Sequence, residues 1–179
     1  MEARSDLLVL GIGQPLRQDD AVGLVLAQRL RRHFGPGLHC LDLHELDIAL
    51  AEEIAAHDHL LVIDARRLAP GVPFAMTPLR AAEQLAVPGG FMSHIFDWSL
   101  LLALACQLFA GATRAELLGV GADQFGFSED LSPTCAQNAE RAFEFLTRYC
   151  AASAQANASA PIALPATRRA TERDVERSG

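Results

Sequence analysis

Two short apolar runs constrain this chain more than any other feature: DLLVLGIG, Asp6 to Gly13, and HLLVIDA, His59 to Ala65. Neither alternates apolar with polar residues, so each needs cover on both faces, as a strand inside a largely parallel sheet has. Helix-period segments follow them. After the first run, Val22, Val25, Leu26, Leu30 and Phe34 recur at helical spacing, Arg29, Arg31 and Arg32 fall toward solvent, and Gly35-Pro36-Gly37 marks the stop. Leu38 to Leu43 alternates loosely as a second strand, and Asp47 is placed to cap a helix through about Ala56 that carries Ile48, Ala51, Ile54 and Ala55. The repeated strand, helix, strand order predicts an α/β layer fold.

Further along, Pro70, Gly71 and Pro73 precede Phe74 to Thr77, which suits an edge strand because prolines are tolerated there. Asp97 can cap an apolar helix from Trp98 to Phe109, Glu116 to Gly121 forms one more buried strand, and Ser132-Pro133 opens a last helix. That helix places Ala136, Ala139, Phe143, Leu146 and Cys150 on one stripe. The domain is therefore expected over residues 1–150. Residues 151–179, rich in Ala, Ser, Asn, Pro and Arg without periodicity, are expected as a disordered tail.

Composition narrows the function. All 15 basic residues are arginine, so Schiff-base catalysis and a lysine-bearing phosphate loop are excluded. A net charge of −7 without a dense basic patch argues against nucleic acid as a partner. The apolar stretch Ser99 to Phe109 is far short of the roughly 20 residues that span a bilayer, and the N-terminus lacks the pattern of a signal peptide. A cytoplasmic location without membrane insertion is expected. Cys40, Cys106, Cys135 and Cys150 have no CxxC spacing and are expected as buried free thiols.

The loop GIGQPLRQDDAVG, Gly11 to Gly23, leaves the carboxyl end of the first strand, where open α/β sheets place their ligands. It is not a dinucleotide fingerprint, since Leu16 occupies the third glycine position and two aspartates stand where a pyrophosphate would sit. Asp19 and Asp20 can serve as helix caps. Asp64, at the end of HLLVIDA, emerges on the same sheet edge if the two strands are parallel, and it can equally pair with Arg66 or Arg67. His94 lies in the later loop GGFMSHIFDW. Two carboxylates and a histidine from separate loops suit a divalent ion with oxygen and nitrogen ligands, and zinc, nickel and manganese all accept that set. No serine or cysteine stands in an evident nucleophile arrangement with histidine.

Four ordered segments, GIGQPLRQDDAVG, VIDARRLAPG, SHIFDWSLLLALA and GVGADQFGFSEDLSP, resemble the hydrogenase maturation proteases over roughly residues 7 to 150. The resemblance implies a three-layer α/β sandwich with a mixed, mostly parallel central sheet between helices. It implies a metal-dependent endopeptidase that removes the C-terminal extension of a nickel–iron hydrogenase large-subunit precursor after nickel insertion. Residue by residue, it assigns the metal-binding and catalytic roles to Asp20, Asp64 and His94, with nickel presented by the substrate. Asp19 is assigned to capping or to hydrogen bonding behind Asp20, and Gln14 and His44 to the rim. Two positions depart from the family pattern: Gln14 stands where asparagine usually follows GxG, and Ala21 where glycine usually follows the acidic pair. The rival readings are a non-catalytic assembly module that binds the nickel-loaded precursor and another metallohydrolase on the same fold.

Overall fold

A computed structural model of the chain describes residues 7–82, 98–109, 111 and 113–158. Its elements are β1 (Leu7–Ile12), α1 (Val22–Phe34), β2 (His39–Leu43), α2 (Leu50–Ala55), β3 (His59–Arg66), β4 (Phe74–Leu79), α3 (Trp98–Phe109), β5 (Arg114–Gly121) and α4 (Pro133–Ala158). One sheet of five strands runs in the order β2-β1-β3-β5-β4. The pairs β1–β2, β1–β3 and β3–β5 are parallel, and only β4 runs antiparallel, on the β5 edge.

The unbroken apolar runs are explained by the two cores. On one face of the sheet Leu7 and Val9 of β1 and Leu61 and Ile63 of β3 meet Val22, Leu26 and Leu30 of α1 and Ala139 and Leu146 of α4. On the other, Leu8 and Leu10 of β1 and Leu60 and Val62 of β3 meet Ala51 and Ile54 of α2 and Leu101 and Leu102 of α3. Successive strand residues thus enter opposite cores, and every position must be apolar. Each buried leucine contributes roughly 1.5–3 kcal/mol by leaving water. The three-layer, mostly parallel architecture expected from the resemblance is the observed one.

Several local expectations need correction. The helix over the second core begins at Leu50 rather than beside Asp47, whose Oδ1 instead accepts the Ala49 amide at 2.9 Å in a turn. Ile48 therefore precedes the helix and is 53% exposed, outside the apolar stripe to which its spacing assigned it. Cys40, Cys135 and Cys150 are buried free thiols as expected, but Cys106 is exposed together with Gln107, Leu108 and Phe109 at the C-terminal end of α3. Burial pushes the Cys40 thiol up to about 11 and those of Cys135 and Cys150 to about 12, so these three are poor nucleophiles. The final helix also continues past Cys150 to Ala158, into the segment expected as tail. The alanines of AASAQANA favour helix, and no proline or glycine interrupts them. Residues 159–179 and Asp97, Ser93 and His94 lie outside the described residues. No helix among the described residues is long and apolar enough to cross a membrane.

Candidate functional site

From β1 the chain passes to β2 on one side of the sheet, while β3 joins β1 on the other. The carboxyl ends of β1 and β3 therefore flank a topological switch point, the place where open α/β sheets form a crevice. Both segments singled out from the sequence end there. The loop after β1 turns back on itself at Gly13, where φ is +154° and a side chain would overlap the backbone carbonyl of Asp20. Gly23, in the first turn of α1, sits so close to the carbonyl oxygens of Ile12 and Ile63 that a Cβ there would strike both. These two contacts hold the acidic pair over the ends of β1 and β3.

Asp20 is half-buried, and its Oδ2 accepts the backbone amide of Gln14 at 3.0 Å. Asp64 follows Ile63, which pairs with Gly11 of β1, so it emerges on the same edge. Burial pushes the Asp64 carboxyl above its ordinary value, Arg66 opposes this from 3.4 Å, and the charge of Asp20 raises it further. The parallel pairing thus brings the two carboxylates within electrostatic reach. Of the two arginines considered as partners, Arg66 makes the ion pair, while Arg67 lies over the Phe125 ring with 5.0 Å between the guanidinium carbon and the ring centroid.

Asp19 does something different from capping. Its side chain is fully buried, and neither Asp19 nor Asp20 makes a side-chain cap to the turn or to α1. Its Oδ2 accepts the amides of Asp123 at 3.1 Å and Gln124 at 2.9 Å and the Ser132 hydroxyl at 2.9 Å, and its Oδ1 accepts the Ser132 amide at 2.7 Å. Burial pushes the carboxyl up, but the amides of Gln124, Ser132 and Asp123 with the Ser132 hydroxyl outweigh it and hold it below the ordinary 3.8. Asp19 therefore ties the first loop to the β5–α4 loop, while Ser132 Oγ accepts the Cys135 amide at 3.2 Å and caps α4.

The rim residues form a second tie. Gln14 Nε2 donates to the His44 carbonyl at 3.0 Å, and His44 Nδ1 donates to the Gly13 carbonyl at 3.1 Å. Gln14 needs no left-handed backbone: among the described residues Gln18, with φ 52°, is the non-glycine residue that adopts one. Gln18 is held there by its side chain, which donates to Gln124 Oε1 at 2.9 Å, and by its amide on the Ser128 carbonyl at 2.9 Å. Ala21 is buried, so its methyl group faces protein rather than the mouth of the site. The 123–132 loop was legible only as part of a family-like motif. Its role depends on contacts to residues more than 100 positions earlier, which spacing does not reveal.

The donor chemistry fits a divalent cation. Asp20 and Asp64 offer two carboxylates whose mutual repulsion a cation would relieve, and such hard-to-borderline oxygen donors suit nickel, zinc or manganese.

Comparison with known proteins points in one direction. No family model matches the chain. The hydrogenase 2 maturation protease of Escherichia coli is 31% identical over 144 residues, covering 77% of this chain and 86% of that protein. Among solved structures, the hydrogenase maturating endopeptidase HybD from E. coli superposes with a TM-score of 0.60 at 26% identity, covering 84% of this chain and 94% of that one. The nickel–iron hydrogenase maturation protease HycI from Thermococcus kodakarensis shares the fold with a TM-score of 0.64 at 21% identity, covering 83% and 94% respectively.

Proposed function

The chain belongs to the hydrogenase maturation protease family, and from that premise we propose that it is an endopeptidase that removes the C-terminal extension of a nickel–iron hydrogenase large-subunit precursor once nickel has been inserted. The observation that carries this reading is the convergence at the switch point of Asp20, in the turn that leads into α1, and Asp64, near the end of β3, with the charge of Asp20 reaching the Asp64 carboxyl. Asp20, Asp64 and His94 are the residues that would hold the metal, His94 being assigned by resemblance. Nickel belongs here to the substrate, and once bound it supplies a Lewis acid that polarises the scissile carbonyl or acidifies an attacking water.

The protein's own residues set the stage for that step. The Gln14 amide fixes one oxygen of Asp20, leaving the other to face the ligand. Arg66 holds Asp64 from 3.4 Å. A carboxylate made more basic by burial is suited to take the proton of an attacking water at its free oxygen. The charge of Asp20 bears on Asp64, and a cation between the two carboxylates relieves that repulsion, so a precursor bearing its cation is preferred to one without it. Metal gating then follows from electrostatics rather than from a separate sensor.

The test is intact-mass measurement of large-subunit precursor, nickel-loaded and nickel-free, after incubation with the purified chain. Loss of one C-terminal peptide from the loaded sample alone is expected. Equal cleavage of both samples overturns the metal gating, and no cleavage of either by folded protein favours the non-catalytic assembly module.

A further inference from the structure

The sheet edge opposite Asp20 and Asp64 carries a second cluster of metal-binding side chains. His39 opens β2, Glu53 lies on α2, and His57 follows that helix two residues before β3 begins. One donor atom from each lies within 4.8 Å of the other two.

The hydrogen bonds orient these donors. His57 is 4% exposed, and its Nδ1 donates to the Glu53 carbonyl at 2.8 Å. With that proton committed, the neutral ring has its lone pair on Nε2, which faces His39 Nδ1 at 3.1 Å. A ring N–H held by a backbone carbonyl is the arrangement that fixes the tautomer of a metal-ligating histidine. Glu53 Oε1 lies 3.5 Å from His39 Nδ1 and 3.7 Å from His57 Nδ1. That oxygen is shut off from solvent and has no hydrogen-bond partner among the described residues. An oxygen withdrawn from water without a partner is costly, and a cation is the simplest group that would satisfy it.

The spacing also suits an ion. Ligand atoms at ~2.0–2.2 Å around a tetrahedral centre stand about 3.3–3.6 Å apart; from His39 Nδ1, Glu53 Oε1 at 3.5 Å falls within that range and His57 Nε2 at 3.1 Å just short of it. The side chains of His39 and Glu53 are 37% and 36% exposed and provide the way in, while His57 forms the buried floor. We propose that His39 Nδ1, Glu53 Oε1 and His57 Nε2 bind one borderline divalent transition-metal ion of the zinc class, with water completing the shell. Two imidazoles and one carboxylate select such ions over magnesium and calcium. The ion would clamp the start of β2 and the approach to β3 to α2, which at six residues is too short to be stable alone. This site is independent of the peptidase reading, since none of its residues belongs to the Asp20 and Asp64 edge.

The test separates the two ends of the sheet. The full chain carrying Asp20→Asn, Asp64→Asn and His94→Gln is freed of metal and titrated with Zn(II) and, for its absorption bands, Co(II). One equivalent of each is expected, with a zinc-dependent rise in Tm. Adding Glu53→Gln or His39→Asn to that background is expected to weaken binding by more than ~100-fold and to abolish the Tm rise. These two positions are chosen because both side chains are about one-third exposed and tolerate change better than buried His57. The proposal is overturned if the first variant binds no zinc, if Glu53→Gln and His39→Asn leave binding unchanged, or if magnesium competes equally.

Discussion

Asp19 and Ser132 are joined twice, by the Ser132 amide on Oδ1 at 2.7 Å and by its hydroxyl on Oδ2 at 2.9 Å, across 113 residues of chain. The amides of Asp123 and Gln124 complete the set, so one buried carboxylate satisfies donors at both ends of the 123–132 loop. Replacing Asp19 by Asn puts an NH2 group among donors and is expected to cost about 3 kcal/mol in denaturant unfolding. Because its folded pKa is depressed, Asp19 contributes its stability above the ordinary value of 3.8 and loses it as pH falls through the lower folded value. The acid limb of the wild-type unfolding curve should therefore flatten in Asp19→Asn.

Asp64 has the opposite sign. Burial raises its pKa, so the stability it contributes is full below the unfolded value and is lost as pH rises through the folded one. Asp64→Asn cannot ionise and is expected to unfold at a higher temperature than wild type at neutral pH, while precursor processing falls by more than ~100-fold. Calorimetry and intact-mass kinetics on the same preparation check both halves; loss of processing accompanied by lower stability would contradict the assignment.

Gly23→Ala should be damaging without touching any side chain of the site. The added methyl group meets two backbone carbonyls, those of Ile12 and Ile63, and backbone yields less readily than a flexible side chain. A loss of about 3 kcal/mol is expected, with Gly37→Ala, where a Cβ meets nothing within 4 Å, as the nearly neutral control.

Phe127 is 88% exposed and Leu16 is 45% exposed, on two loops joined by the Ser128 amide on the Leu16 carbonyl at 3.2 Å. This edge borders the loop that bears Asp20 and offers apolar surface to a protein substrate. Phe127→Ser is expected to raise the KM for precursor by roughly 10-fold with kcat and Tm unchanged. An unchanged KM would remove Phe127 from the docking edge.

The central strands, α1 and the start of α4 were legible because their signals are local: doubly apolar runs, a helix-period stripe, and Gly35-Pro36-Gly37 or Ser132-Pro133 as punctuation. The convergence of Asp20 and Asp64 was legible as well, since it needs only that β1 and β3 be parallel neighbours. The work of Asp19 was not, because its partners come from a loop more than 100 residues away. The start of α2 was misplaced for a smaller reason: Asp47 captures the Ala49 amide in its own turn, and that turn competes with a cap. His39 and His57 drew no attention as a pair, because 18 positions separate them and only β2 pairing beside β1 brings them together.

The dependence of the first loop on the 123–132 loop sets an order of events during synthesis. A ribosome-bound chain that has emerged only through β3 already contains Asp20 and Asp64, yet the buried carboxylate beside them still lacks every donor that neutralises its burial. Those donors arrive only after β5, the fifth strand to be made, has entered the sheet. The acidic pair is therefore set in place late, when most of the domain has left the exit tunnel, and a prematurely terminated chain would carry both aspartates without the platform that aims them.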